Sequence, residues 1–200
     1  MPPLTYVGDL RNDEHIEKLV KRTIEKHSKI DVVVNNAGSD FSLVFASLLD
    51  EDFLEKYEKV MQIDLNLAIK LCRLAIPYLI ESKGVIVNVS SVSSKKPDIG
   101  FLIHSVSKAA LDMVTKSLAL EFGPKGIRVN SVNPGLIDTP IAQKCSLDPN
   151  VLEETKRSFS VFQRAGEAEE VAKAVAFLAS NTSSFVTGTN VVVDGGHLLK

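Results

Sequence analysis

Three short β-branched runs, each stopping at a polar turn and separated from the next by a helical stretch, constrain this chain more than any other feature. Val32-Val33-Val34 runs into Asn35-Asn36-Ala37-Gly38, Val85 to Val89 into Ser90-Ser91, and Ile127 to Val132 into Asn133-Pro134-Gly135. A fourth run, Asn190 to Val193, closes in Asp194-Gly195-Gly196. Strands alternating with helices read as α/β with a largely parallel sheet. The Val32–Val34 run looks buried on both faces, as in a central parallel strand. Helical periodicity marks the connections. Asn12 stands as a cap before Ile16, Leu19, Val20 and Ile24, which share one helical face. A long helix is expected from Asp52 to Ile80, with Pro77 near its end, another from Ser105 to Phe122, stopped by Gly123-Pro124, and a third from Glu167 to Ala179. Leu4 to Val7 is a further strand candidate, ending in Gly8-Asp9, and residues 136–165 read as an irregular loop with a short helix, placed over a site. In a doubly wound sheet, ligands bind at the carboxyl ends of the strands, so the polar turns collect on one edge.

Composition narrows the function classes. The chain has 200 residues, 44% apolar and 24% charged, with a net charge of -2. That is the make-up of a soluble domain able to bury its own core, and it gives no electrostatic case for nucleic acid or an anionic membrane as partner. Lys95-Lys96 is an isolated basic pair. No apolar run approaches a bilayer span, and the start shows no basic segment followed by an apolar one. The two cysteines, Cys72 and Cys145, fit no metal spacing, so the expectation is a reducing, cytoplasmic setting.

The chemistry-bearing residues lie around the second turn. Ser91 closes a strand, and His104 and Lys108, four apart, share a face at the start of the next helix. A hydroxyl, a titratable ring and an ammonium are a kit for moving a proton to a carbonyl or from an alcohol. From these three residues alone, a helix N-terminal histidine beside a solvated lysine is the simpler reading.

Taken in order, Asn35-Asn36-Ala37-Gly38, Ser91, Val106-Ser107-Lys108-Ala109-Ala110, Ile127-Arg128-Val129-Asn130, Asn133-Pro134-Gly135, Val186-Thr187-Gly188 and Val193-Asp194-Gly195-Gly196 resemble the motif series of the short-chain dehydrogenase/reductase family. The resemblance spans the chain and is to classical members such as β-ketoacyl-carrier-protein reductases and hydroxysteroid dehydrogenases. It implies a Rossmann-like doubly wound parallel sheet in three α/β/α layers, a single domain over residues 1–200, NAD or NADP as cofactor, and a small alcohol or carbonyl substrate. In the family a serine orients the substrate oxygen, a tyrosine moves the proton, and a lysine four residues later holds the nicotinamide ribose and favours the phenolate. An asparagine on the preceding long helix supports the lysine. Carried over, these roles fall on Ser91, the position of His104, Lys108 and Asn66. Cofactor contacts fall on Asp9, Asn35, Ala37, Gly38, Lys108, Pro134, Gly135, Ile137 and Thr139. No metal is implied, and a homo-oligomer, dimer or tetramer, is.

Two departures stand out. The tyrosine position holds His104, with Ser91 and Lys108 at family spacing around it, which predicts weakened or lost chemistry. The family's opening strand, glycine-rich turn and helix, which bind the pyrophosphate, have no counterpart in these residues, so the first βαβ unit is expected to be missing and cofactor binding weakened. Leu4 to Asp9 then resembles the family's third strand, and Val32–Val34 would be left as an exposed apolar edge. The alternatives to an oxidoreductase are a non-catalytic relative acting through association with itself or a longer homologue, and a fragment of a longer enzyme.

Overall fold

The computed structural model describes residues 3–140, 154–155 and 157–200. Cys145 and the middle of the loop expected over 136–165 lie outside these residues.

Helix α1 (Asp13–His27) starts where the sequence places its cap: the Asn12 side chain accepts a hydrogen bond from the Glu14 amide, and Ser28 ends the helix in the left-handed region with φ 60°. Strand β1 (Val32–Asn35) follows, then a short helix α2 (Phe41–Val44) and helix α3 (Phe53–Val60). The expected long helix is interrupted. A π-helical segment, Met61–Asn66, separates α3 from α4 (Leu67–Ser82). Strand β2 (Val85–Val89) leads through a 3₁₀ turn (Val92–Ser94) to α5 (Leu102–Phe122), which begins three residues before the Ser105 expected from sequence. Strand β3 (Arg128–Pro134), the two-residue strands β4 (Ile137–Asp138) and β5 (Gly166–Glu167), helix α6 (Ala168–Ala179) and strand β6 (Asn190–Val193) follow, with short 3₁₀ turns between and after them.

The main sheet is parallel in the order β1-β2-β3-β6, with Val33 opposite Ile86, Ile86 opposite Val129, and Val132 opposite Val191. Strand alternation sends Val33, Ile86 and Val129 to one face, where Val20 of α1, Cys72, Ala75 and Leu79 of α4 and Ala119 of α5 cover them. Val85, Val87 and Val132 face the other way and pack on Leu178 of α6. The result is the expected three-layer α/β/α arrangement, with most strand carboxyl ends on one edge.

Two sequence expectations need correction. Val32–Val34 is not buried on both faces: Val33 is buried, but Val32 and Val34 are 39% and 42% exposed. Among the described residues β1 pairs only with β2, and α6 packs chiefly on β2 and β3. Leu4–Val7 forms no strand. A strand needs a ladder partner more than propensity. Tyr6 instead sets its ring edge-on to His15, 6.4 Å between centroids, beneath the Arg22 guanidinium.

Candidate active site

The π segment decides which side chains reach the edge of the sheet. It adds a residue to the turn and changes the phase of the helix, a deviation common at functional positions. Asp64 thereby turns inward and is 3% exposed, whereas Asn66 is exposed. The structure therefore does not bring Asn66 to Lys108; a carboxylate two residues earlier takes that place.

Asp64 is held from three sides. Its Oδ1 accepts the Ser39 backbone N–H at 2.7 Å. Its Oδ2 lies 3.4 Å from Lys108 Nζ and 3.8 Å from His104 Nδ1. The first turns of α5 carry both of these residues on one face, as the spacing of four requires. Lys108 is itself buried, 6% exposed, and its ammonium also donates to the Val89 carbonyl at the end of β2 at 3.4 Å. Gly38 closes the group from the β1 turn: a Cβ there would stand 3.8 Å from Asp64 Oδ1 and 3.9 Å from Lys108 Nζ.

Burial alone would raise the Asp64 carboxyl, but the His104 ring, the Lys108 ammonium and Ser39 overcome it and hold it at about 2. The unfolded carboxyl binds its proton more tightly, with an ordinary value of 3.8. The stabilisation is thus complete above about pH 4, shrinks as pH falls and is gone below about pH 2. It amounts to about 2 kcal/mol. Urea unfolding at stepped acidic pH should show this loss, and Asp64→Asn should flatten it.

Ser91 sits at the other end of the site. Its hydroxyl accepts the Ser93 amide at 3.1 Å, capping the 3₁₀ turn, and its carbonyl accepts from Asn133 at 3.0 Å. Beside it, the Ser90 hydroxyl donates to the Lys108 carbonyl at 3.2 Å and joins β2 to α5. Asp112, one turn beyond Lys108, accepts from Ser94, Ser131 and Asn133 and lies 3.5 Å from Lys95. This buried network fixes the Ser91–Ser94 segment, and the sequence reading missed it. Its signal was available: Asp112 continues the His104–Lys108 spacing.

The cofactor-side candidates separate into groups. Asn35 points inward, donating to Asn88 Oδ1 at 2.7 Å and to Cys72 Sγ at 3.4 Å. Burial pushes the Cys72 thiol up to about 11, which leaves it unreactive. Ala37 borders a cavity of about 160 Å³ with Leu10, Asn35, Asn36 and Asp64. Asp9, next to Leu10, is exposed and engaged by Arg11, whose hydrogen bonds hold its carboxyl at about 2. Pro134 ends β3, and Gly135 presses on the last strand end: a Cβ there would meet Asp194 Cβ at 2.9 Å. Ile137 lines a second cavity of about 430 Å³ with Phe162 and Val193, and Thr139 follows β4, half-buried. No helix among the described residues is long and apolar enough to cross a membrane, and no group of metal-ligating side chains occurs among them.

Comparison with known proteins fits this geometry. The family model described as enoyl-(acyl carrier protein) reductase matches residues 2–197. The chain is 36% identical to a 3-oxoacyl-acyl-carrier-protein reductase of Thermotoga maritima, over 96% of this chain and 75% of that protein. It is 37% identical to 3beta-hydroxysteroid dehydrogenase 1 of Eggerthella lenta, over 96% and 72%. The ligand-free aldohexose dehydrogenase of Thermoplasma acidophilum superposes with a TM-score of 0.88 at 32% identity, over 98% of this chain and 78% of that one. With motifs, sheet and relatives in agreement, the chain belongs to the short-chain dehydrogenase/reductase family of NAD(P)-dependent oxidoreductases.

Proposed function

We propose that residues 1–200 form one catalytic domain that interconverts an alcohol and a carbonyl with NAD or NADP, at a rate held low because an imidazole stands where the family has a phenol. The observation that carries this reading is the meeting of Asp64, His104 and Lys108 at the end of β2, where the Ser90 hydroxyl, next to Ser91 in the chain, ties the strand end to the Lys108 carbonyl.

The residues present suit the nicotinamide–ribose half of the cofactor. An ammonium has three donors, and Lys108 directs one to the Val89 carbonyl and one toward Asp64, leaving a third for a ribose hydroxyl. Gly38, without a side chain, leaves that approach open, and Pro134, Gly135, Ile137 and Thr139 lie along the neighbouring strand end. Among the described residues no strand runs through a glycine-rich turn into a helix of full length. When bound, the nicotinamide exchanges a hydride with the substrate carbon. Ser91 orients the substrate oxygen, His104 exchanges its proton, and Lys108 supplies the positive charge that steadies ribose and developing oxyanion.

The test is a titration with NADH and NADPH followed by cofactor fluorescence, then turnover on secondary alcohols and ketones. Saturable binding with slow turnover that Lys108→Met abolishes is the expected result. Folded protein that binds neither cofactor and turns over nothing would refute the reading.

That outcome would favour a second reading, association. Leu102, Val106, Met113 and Leu120 leave an apolar stripe on α5, between 41% and 82% exposed, where a second copy or a longer relative would pack. Sedimentation across concentration separates a monomer from a dimer or tetramer.

A further inference from the structure

We propose that Asp64 and His104 act as a carboxylate–imidazole pair in which Asp64 fixes the tautomer of the ring, so that Nε2 exchanges the substrate proton; the proposal rests on the oxidoreductase reading above. The family pattern supplies an amide and a phenol for these tasks, and this chain has neither at the site.

Several observations converge. His104 Nδ1 is buried and makes no hydrogen bond within the structure. A buried polar atom without a partner is costly, so a neighbouring acceptor draws it in. A carboxylate oxygen, Asp64 Oδ2, lies 3.8 Å away, and catalytic hydrogen bonds are often long before substrate arrives and tighten with it. The ring is confined on its other side by Phe101, edge-on at 6.3 Å, within a packed cluster of Phe41, Phe45 and Phe101. The carboxylate is confined too, by the Ser39 amide on Oδ1 and Lys108 on Oδ2. Asp64 stays ionised across the neutral range, held at about 2 chiefly against its own burial. An ionised carboxylate only accepts, so the ring must present Nδ1–H to it. Nε2 then carries the lone pair.

The proton step balances. In alcohol oxidation the substrate hydroxyl gives its proton to Nε2, the carbinol carbon gives its hydride to the oxidised nicotinamide, and the carbonyl forms. The imidazolium left behind is stabilised by Asp64, which keeps its charge. Carbonyl reduction runs the same transfers in reverse. Asp64 is a positioning residue, acting through His104.

A simpler role for Asp64 is to neutralise Lys108 alone. Nitrogen-15 spectroscopy of the imidazole rings in the full chain separates the two, with the His104 signals identified by their loss in His104→Gln. The expected result is His104 protonated at Nδ1 in the parent and at Nε2 in Asp64→Asn. The inversion follows from the donors around the side chain. The Ser39 amide, at 2.7 Å, keeps the carbonyl oxygen of the new amide, which leaves its NH₂ facing the ring as a donor to Nδ1 while the Lys108 ammonium turns from it to the Val89 carbonyl. In the same variant kcat should fall roughly 10²-fold or more with KM little changed. A parent ring protonated at Nε2, or one unchanged by Asp64→Asn, would overturn the pairing even in an active enzyme. The expected inversion in a chain without turnover would uphold the pairing and sink the oxidoreductase reading instead. Near-ultraviolet circular dichroism on each sample confirms that the variants are folded.

Discussion

The double variant His104→Tyr with Asp64→Asn is expected to turn over alcohols and ketones about 10²- to 10⁴-fold faster than the parent, while His104→Tyr alone gains only about tenfold. The difference comes from the buried carboxylate. A phenol titrates near pH 10 and works here only if its anion is favoured. Lys108 favours it, but Asp64 lies 3.4 Å from the same ammonium and would face the new oxygen with a like charge. Asp64→Asn removes that opposition and leaves Lys108 free to act on the phenol. The same substitution should therefore lower turnover in the histidine background and raise it in the tyrosine one. Steady-state kcat for the four combinations measures this directly. A loss in both backgrounds would show that Asp64 does not act through the residue at position 104. Residues in contact are expected to be non-additive, but a reversal of sign is a demanding form of coupling.

The sequence discloses unevenly what this argument uses. The strands and their parallel pairing are legible because β-branched runs and polar turns are local signals, and so is the Asn12 cap. The His104–Lys108 face follows from helical spacing alone. Asp64 is not legible in that way. Its neighbours, Ile63 and Leu65, and the family pattern around Asn66 point to a regular helix in which Asn66 turns inward. The π segment shifts the phase, and no periodicity in the sequence announces it. The β-branched run by itself places Val32 and Val34 as buried, whereas the reading of this strand as an exposed apolar edge agrees with its place at the end of the sheet: a β-branched run shows that a strand forms, but exposure depends on what packs across it. Asp112 and Asn133 are distant in sequence and meet only through the fold.

Lys108→Met should be the most destabilising single change at the site, costing about 3–5 kcal/mol, because it leaves a buried carboxylate without its cation. Lys108 is 6% and Asp64 3% exposed, so water cannot replace the ammonium. Ser39 would remain as the close donor, with His104 at 3.8 Å. Adding Asp64→Asn to Lys108→Met should recover much of the loss, since an amide is far cheaper to bury than an unpaired charge. Urea midpoints at constant m-value across the four proteins give the coupling. The acid limb supplies an independent reading. In the parent, stability falls between about pH 4 and pH 2 because the folded carboxyl resists its proton. Without the ammonium, burial meets less opposition, the carboxyl rises toward its ordinary value, and that acid-side loss shrinks. A variant destabilised as expected but with an unaltered acid limb would assign the low Asp64 value to Ser39 and His104. The ion pair would then serve to hold Lys108 in place rather than to keep Asp64 charged.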